Sequence, residues 1–354
     1  MFTVGIEMRD EYMSYEIAKG ALTLAKDVLL VKEGETVVVT GDSSTDRRVV
    51  EAIAEAVFAI GGCPTVIYCP TAPNSCMEPY APIAAAVASC DVWVEVTYSY
   101  VMHAPCFKKA LANGVRYMNI CGMDAMMMAR TVSHINYDLV IKLGELLQSK
   151  VQAADEVIVK SPAGTDLKGY NRGRKVRLSG KKATEKGYPI MLAGQISWCP
   201  IEETIEGKLV FDGALFPPLE LGKLNSPVYL TLKDGRVTDI EGGRDAQIFK
   251  RWMDDLNDPE NMPRLAHYSL GFNPGITAIT GRIVEDERVF GSIEFGIGSQ
   301  GKSIMGKGWD SAGHTDGIVL NPTIILDGVE LEKDGIYLDP EVRAICKELG
   351  IKGY

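Results

Sequence analysis

The sequence is poor in basic residues and has no long apolar run, and each shortage excludes a class of protein. Lysine and arginine number 37 against 47 aspartates and glutamates, so the formal net charge at pH 7 is −10. Nucleic acids and anionic membrane surfaces select basic partners, and no basic cluster offsets this acidic balance. No apolar run approaches the roughly 20 residues that a membrane-spanning helix needs. We therefore expect that the chain binds neither nucleic acid nor a membrane.

Cysteine is present, but it lacks the spacing of a metal or redox motif. The eight cysteines include no Cys-X-X-Cys pair and lie mostly within hydrophobic stretches. This pattern argues against a zinc ribbon, an iron–sulfur cluster or a disulfide framework and favours buried free thiols. The segment from Met1 to Asp10 lacks the basic-then-apolar order of a signal peptide. We predict a cytoplasmic protein.

The first part of the chain alternates strand and helix patterns. A length of 354 residues exceeds what one hydrophobic core usually holds, so two domains are expected. In residues 1–153 we predict an α/β domain of Rossmann-like type with a mostly parallel sheet, because buried β-branched runs alternate with helical patterns. The predicted strands are 36–40, 64–69, 91–97 and 115–120, and the predicted helices are 46–60, 81–89, 104–113 and 137–151.

The turn after the first predicted strand bears on nucleotide binding. It reads Gly41-Asp42-Ser43-Ser44 and lacks both Gly-X-Gly-X-X-Gly and the Gly-Lys-Ser/Thr of a phosphate-binding loop. We therefore predict that the Rossmann-like domain does not bind a nucleotide.

The pattern changes in the second part of the chain, residues 154–354. Short strand patterns follow one another there, with Asp234-Gly235 and Asp327-Gly328 as signals of hairpin turns. The predicted strands are 208–211, 228–232, 236–240, 291–297 and 318–326, and one amphipathic helix is predicted at 245–256. We predict an α+β, strand-rich domain, and we assign metal binding and catalysis to it on the strength of the histidines described next.

Two of the four histidines fall in a pattern that is typical of a metal site. His314 and Asp316 are two residues apart, so in an extended strand their side chains point to the same face. With His267 they would provide two imidazoles and one carboxylate. This ligand set leaves coordination positions open, which suits non-haem Fe(II) in oxygen chemistry and, less exclusively, Zn, Mn or Co in hydrolysis. A chance His-X-Asp with hydrogen-bonded structural histidines is the alternative.

Several motifs occur in the order that is seen in a known superfamily. They are Gly164-Thr165-Asp166-Leu167, the segment from Glu206 to Asp212, Gly271-Phe272-Asn273-Pro274, Glu285-Asp286-Glu287 and His314-Thr315-Asp316-Gly317. In this order the chain resembles the superfamily of thermophilic metalloaminopeptidases of the aminopeptidase T type, which also contains 2,5-dihydroxypyridine 5,6-dioxygenase. The resemblance is strong over the second domain and weak over the first.

The resemblance implies one of two metal sites. The aminopeptidase branch holds two metals through several glutamates and histidines, but Gln195 stands where that branch has a glutamate and Glu294 where it often has a histidine. A neutral amide is a poor replacement for a bridging carboxylate. The dioxygenase branch holds one Fe(II) through a histidine ahead of a Gly-X-X-Pro segment and through a His-X-Asp, which correspond to His267, His314 and Asp316.

In the dioxygenase interpretation, which we favour, O2 would cleave the ring of a hydroxylated N-heteroaromatic such as 2,5-dihydroxypyridine in an extradiol-type reaction. The His-Ser-Pro that supplies an acid/base in the dioxygenase corresponds here to His103-Ala104-Pro105, with capping or packing as the alternative for His103. Trp198 and Tyr268 are candidates for stacking on the substrate ring, and Thr165 for orienting a ligand or supporting a turn. Relatives of this type pair through their domains, so a homodimer is implied.

The competing interpretation is a hydrolase with the same ligands. A metalloaminopeptidase of the leucyl aminopeptidase type or a cyclic-amide hydrolase would use Zn, Mn or Co to activate water. Glu285, Glu287 or Glu294 would then act as a base or as a ligand of a second metal, although a run of charges is usually a solvated turn.

Overall fold

The computed structural model describes residues 13–301, 304 and 306–354. It divides the chain into two compact units: the residues up to Tyr137 together with Ser179–Ala193, and Asp138–Leu178 together with Gly194–Tyr354. The predicted boundary after residue 153 stays a prediction; in this division Asp138–Leu178 belongs to the second unit and Ser179–Ala193 returns to the first.

The prediction of a cytoplasmic protein rests on the segment from Met1 to Asp10, which lies outside the described residues. Among the described helices, none has both the length and the apolar character that crossing a membrane requires.

Strands and helices are numbered along the described residues. The strands are β1 Thr36–Asp42, β2 Cys63–Cys69, β3 Val92–Glu95, β4 Arg116–Asn119, β5 Glu156–Lys160, β6 Asp166–Tyr170, β7 Arg177–Leu178, β8 Pro189–Met191, β9 Gln195–Trp198, β10 Glu206–Phe211, β11 Ala214–Phe216, β12 Gly222–Lys223, β13 Val228–Lys233, β14 Arg236–Gly242, β15 Leu265–Gly271, β16 Ser292–Gln300, β17 Trp309–Leu320, β18 Thr323–Leu326, β19 Val329–Lys333 and β20 Ile336–Tyr337. The α-helices are α1 Ser14–Leu22, α2 Arg47–Ala59, α3 Ala81–Val87, α4 Pro105–Ala112, α5 Ala125–Met128, α6 Tyr137–Ala153, α7 Arg244–Asp255, α8 Ile283–Asp286 and α9 Pro340–Glu348. π-Helical turns continue α1 at Thr23–Val28 and α5 at Ala129–Ser133, and a 3₁₀ turn spans Glu202–Thr204.

The first unit is built on a five-stranded sheet with the order β2-β1-β3-β4-β8. Every neighbouring pair in this sheet is parallel. Strand β1 is buried from Val37 to Asp42, as expected of a strand that is covered on both faces. Helix α2 follows, and the side chain of Asp46 caps it by accepting a hydrogen bond from the backbone N–H of Arg48. The prediction of an α/β domain with a mostly parallel sheet is confirmed.

Strand β8 explains why the units are not consecutive in sequence. After α6 and the first strands of the second unit, the chain returns, and Met118 of β4 pairs with Ile190 of β8. The strand is only three residues long, which is too short for a periodic pattern to predict it.

The second unit contains two antiparallel sheets. One has eight strands in the order β14-β13-β10-β6-β5-β18-β19-β20, and the other has seven in the order β12-β11-β17-β16-β15-β9-β7. The predicted turn residues Asp234, Gly235, Asp327 and Gly328 all have positive φ, and they join β13 to β14 and β18 to β19. Two successive residues with positive φ are typical of a type I′ hairpin turn. The strand-rich α+β class is therefore confirmed as well.

The single strand that was predicted at 318–326 is wrong. The structure has two strands there: β17 ends at Leu320 in the seven-stranded sheet, and β18 begins at Thr323 in the eight-stranded sheet. Asn321 lies between them with a φ of 48° and is followed by Pro322. A left-handed residue followed by a proline, which has no backbone N–H, interrupts the ladder and lets the chain change sheets.

Candidate metal centre

The predicted ligands meet on the seven-stranded sheet because the strand between them carries glycine. β16 lies between β15 and β17, and Gly296 pairs with His267 on one side and with Asp316 on the other. Directly opposite residues of antiparallel neighbours point to the same face. A Cβ at position 296 would lie 2.3 Å from Nε2 of His267. Glycine therefore leaves the space through which the imidazole reaches Asp316 across the middle strand.

His314 completes the cluster from the same strand as Asp316. Its Nε2 lies 3.3 Å from Nε2 of His267 and 3.0 Å from Oδ1 of Asp316. Nε2 of His267 lies 3.4 Å from the same carboxylate oxygen. Within the described residues, these three side chains are the one group of histidine, cysteine, aspartate or glutamate that could hold a metal ion. We call them the His-His-Asp cluster.

Both imidazoles are held through the nitrogen that faces away from the cluster. Nδ1 of His314 lies 2.8 Å from the backbone carbonyl oxygen of Ser299, to which a protonated Nδ1 donates. Nδ1 of His267 lies 3.4 Å from Oε1 of Glu294 and 3.3 Å from Oγ of Ser269. With the proton on Nδ1 in both rings, the Nε2 lone pairs point into the cluster. Hydrogen bonding of the outer nitrogen commonly orients histidines that bind metals.

The charges of the cluster change the proton affinity of each member. Burial alone would raise the pKa of Asp316, but the imidazoles of His314 and His267 hold it well below its usual range. Burial lowers the pKa of His314, yet the Asp316 carboxylate and the Ser299 carbonyl raise it above its ordinary value. Burial raises the pKa of Glu294 well above its ordinary value, and the nearby charges of Asp316 and Glu287 raise it further. Acidic groups are therefore concentrated at the cluster, and the two imidazoles offset part of their charge.

The arrangement fits a divalent cation. With metal–nitrogen bonds of about 2.1 Å, neighbouring ligand atoms lie about 3.0 Å apart in octahedral and about 3.4 Å apart in tetrahedral coordination, and the observed separations span this interval. Oε1 of Glu294 is buried and has no hydrogen bond among the described residues. A cation bound at Nε2 of His267 would keep the ring proton on Nδ1, where it faces this oxygen. The cation would also offset the negative charge of the acidic side chains. The side chain of His314 is 34% exposed, so the cluster can be reached.

The predicted auxiliary residues lie at different places. Gln195 is buried, and its Nε2 donates to Oε2 of Glu294 at 2.7 Å. Glu285 is buried in α8, where its Oε2 accepts from Oγ1 of Thr280 at 3.4 Å. Glu287, at the end of α8, forms an ion pair with the neighbouring Arg288. The structure therefore brings Glu294 and Gln195 to His267. Glu285 and Glu287 have partners of their own, although the charge of Glu287 still acts on Glu294 and His314.

The predicted ring-stacking residues are not brought to the cluster. Trp198 and Tyr268 pair across β9 and β15, their ring centroids are 5.6 Å apart, and both side chains are fully buried. Because successive residues of a strand alternate in direction, Tyr268 points to the face opposite to that of His267. Thr165 is buried immediately before β6, where its Oγ1 accepts from the backbone N–H of Val210 at 3.0 Å.

His103 lies in the first unit, in the loop ahead of α4. It is exposed, has a φ of 78°, and lies two residues before Pro105, the first residue of the helix. Its ring lies 6.0 Å from that of Phe107. A positive φ is uncommon for a residue with a side chain and is worth attention at a functional site. Its role as an acid/base remains a prediction.

Sequence reasoning missed residues whose role depends on strand pairing. Gly296 and Gly298 oppose the ligands, and Ser299 supplies the carbonyl that holds His314. The spacing of two residues between Glu294, Gly296 and Gly298 was the available signal, because it predicts that all three lie on one face of a strand.

Fold and site together define the class: a two-unit protein with a parallel α/β unit and an antiparallel unit that carries a His-His-Asp cluster suited to a metal ion. The chain belongs to the enzyme family described as NicX, 2,5-dihydroxypyridine 5,6-dioxygenase, whose model matches residues 23–339. This match confirms the predicted resemblance. No curated protein matches the chain in sequence.

Two solved structures share the fold. The structure of 2,5-dihydroxypyridine dioxygenase from Pseudomonas putida KT2440 has a TM-score of 0.80 at 19% sequence identity, and the match covers 94% of this chain and 99% of that chain. Wild-type AmpT from Thermus thermophilus has a TM-score of 0.68 at 15% identity, with 93% of this chain and 100% of that chain covered. At these identities the two likenesses establish the fold.

Proposed function

We propose that the chain is a mononuclear, Fe(II)-dependent dioxygenase that opens the ring of a hydroxylated N-heteroaromatic such as 2,5-dihydroxypyridine. Membership of the NicX family supports the reaction class. The observation that carries the proposal is the convergence of Nε2 of His267, Nε2 of His314 and Oδ1 of Asp316 within 3.4 Å of one another. Two histidines and one carboxylate on one side of an ion are the ligand set of non-haem Fe(II) oxygenases.

The residues of the cluster have separate tasks in this proposal. Asp316 supplies the negative charge, and its depressed pKa keeps it ionised. The Ser299 carbonyl orients His314, and the Ser269 hydroxyl, together with Glu294 at 3.4 Å, faces Nδ1 of His267, so that both Nε2 atoms are directed inwards. When bound, Fe(II) supplies open positions in which a substrate can chelate and O2 can react. His103 stays a proposed acceptor for a proton of a ring hydroxyl, on the strength of the resemblance.

Gln195 favours one metal ion over two. Its amide N–H donates to Oε2 of Glu294, while Oε1 of the same carboxylate faces His267. To bind a second ion, Glu294 would have to give up the bond to Gln195, and the neutral amide would bring no compensating charge. A metalloaminopeptidase or a cyclic-amide hydrolase with Zn, Mn or Co is therefore the second candidate, supported by the shared fold with AmpT.

The test begins with metal content. Protein purified anaerobically without added metal is expected to hold close to one iron per chain, and the His267→Ala and Asp316→Ala variants are expected to lose it. His134→Ala is the matched control, because His134 is exposed in the first unit and is not a member of the His-His-Asp cluster. It should retain the iron.

Activity is then measured after separate loading with Fe(II), Zn, Mn or Co. Consumption of O2 and loss of ring absorbance with 2,5-dihydroxypyridine are expected with Fe(II) alone. Two Zn, Mn or Co ions per chain, together with release of an amino acid from a peptide substrate, would replace the proposal by the hydrolase.

A further inference from the structure

Strand β11 places an aromatic residue directly beside the His-His-Asp cluster. Phe216, the last residue of β11, pairs with Asp316 of β17. Directly opposite residues in antiparallel strands have their Cβ atoms about 5 Å apart and on the same face. One row across the sheet therefore reads His267, Gly296, Asp316, Phe216. Gly296 has no side chain, and Phe216 ends the row next to Asp316.

The position of Phe216 is fixed by its neighbours in the chain. The hydroxyl of Thr315, a fully buried residue of β17, donates to the carbonyl oxygen of Pro217 and so holds the end of β11 against β17. Leu215, the preceding residue, is fully buried on the other face of the sheet. The chain is thus anchored on both sides of Phe216, and its ring has little freedom to leave the face that carries the cluster.

Core packing leaves part of the Phe216 side chain uncovered. Its side chain is only partly buried, and in the described part of the chain no other aromatic ring stacks on it. Phe216 is paired with Asp316, whose carboxylate contacts the imidazoles of His314 and His267. An apolar ring that borders a group of polar ligands, with surface left uncovered, is the arrangement by which small-molecule sites combine a few polar contacts with apolar walls.

We propose that Phe216 is the aromatic wall of the substrate site and sets its preference for a flat ring over a ringless chelator. The inference rests on the proposed function for the identity of the ring, a hydroxylated N-heteroaromatic. Offset or edge-to-face contacts between aromatic rings contribute affinity beyond the area that they bury. A substrate chelated at the cluster would present its edge or face to Phe216, which ends the row beside Asp316.

The test compares two chelators that share donor atoms and differ in the ring. Picolinate offers a pyridine nitrogen and a carboxylate, and glycinate offers an amine nitrogen and a carboxylate without a ring. Binding to the metal-loaded protein is measured anaerobically by titration calorimetry. The variant Phe216→Leu is expected to bind picolinate about three- to tenfold more weakly and to keep its affinity for glycinate within about twofold. Phe216→Tyr, which retains the ring, is expected to bind both as the wild type does.

Controls separate a ring contact from a general loss of structure. Tyr229 is an exposed aromatic residue of β13 in the eight-stranded sheet, and Tyr229→Leu should change neither affinity. Metal content and melting temperature of Phe216→Leu should equal those of the wild type. An unchanged affinity for picolinate would overturn the proposal, and so would equal losses for picolinate and glycinate, since these would indicate that Phe216 only supports the cluster.

The chelator test does not depend on turnover. If the wild-type protein fails to consume O2 with 2,5-dihydroxypyridine, the proposed function fails. The difference between picolinate and glycinate in Phe216→Leu still decides whether Phe216 contacts a ring, so the two failures can be told apart.

Discussion

Replacing Gly296 by alanine should remove the metal while leaving the fold nearly intact. The added Cβ would lie 2.3 Å from Nε2, 2.6 Å from Cδ2 and 2.8 Å from Cε1 of His267. Non-bonded heavy atoms rest about 3.5 Å apart, so the ring must withdraw by roughly 1 Å. Metal–ligand distances tolerate deviations of about 0.2 Å. The displacement is several times that tolerance. Loss of an outer-shell partner weakens metal binding by up to roughly 100-fold, and we expect Gly296→Ala to weaken it by at least that much.

The cost in stability should be small because the displaced atoms are the end of one side chain, which can swing away. The matched control is Gly317→Ala on the neighbouring strand, whose Cβ would lie 2.4 Å from the ring of Phe211. Phe211 is fully buried, and position 317 faces away from the cluster. This variant should lose about 1–3 kcal/mol of unfolding free energy through overpacking and keep its metal.

The assay combines competition with a metal-sensitive chelating dye and unfolding in urea. We expect opposite results for the two variants: weak metal binding with near-normal stability for Gly296→Ala, and reduced stability with near-normal metal binding for Gly317→Ala. Wild-type metal affinity in Gly296→Ala would refute the argument that this glycine makes room for His267.

Three further substitutions test other parts of the second unit. Glu294→Gln should weaken metal binding about 10–100-fold in dye competition, because the buried carboxylate orients His267; unchanged affinity would contradict that role. Gln195→Glu should lower the unfolding free energy of the metal-free protein by about 1–3 kcal/mol at pH 8, since the amide that donates to Glu294 is lost; equal stability in urea would count against it. Burial raises the pKa of Glu332 well above its ordinary value of 4.5, so the folded state holds a proton that the unfolded state releases as the pH rises, and stability falls above that pH. This loss of unfolding free energy amounts to at most about 1.4 kcal/mol per pH unit. Glu332→Met should abolish it in urea unfolding between pH 5 and 8, whereas the same substitution at the partly exposed Glu330 should leave the pH dependence unchanged.

The sequence predicted what depends on local pattern. Strand β1 was found because a run of β-branched residues is needed for a strand that is buried on both faces. His314 and Asp316 were placed on one face because a spacing of two residues determines direction in any strand. The turns at Asp234-Gly235 and Asp327-Gly328 were found because few residue pairs accept two positive φ values.

The sequence could not give what depends on register between distant strands. Nothing local indicates that Gly296 would stand between His267 and Asp316, since that pairing joins three strands that are well apart in the chain. The position of Phe216 beside Asp316 has the same origin. The placement of Tyr268 is a third example: next to His267 in sequence, it lies on the opposite face of the sheet, so closeness in the chain indicated the wrong side.

The register also gives a physical argument for a single ion at the cluster. His267 and Asp316 lie two strands apart and can touch only over a residue without a side chain, so Gly296 defines one point on the face at which all three ligand atoms converge. The next position along β16 on the same face is Glu294. One oxygen of its carboxylate faces His267, and the other accepts a hydrogen bond from Gln195. A second ion would need ligands at that position, yet the residues there already orient the first ion's histidine. This arrangement supports the proposal of a single metal ion, whose ligands the adjacent row of the sheet would hold in place.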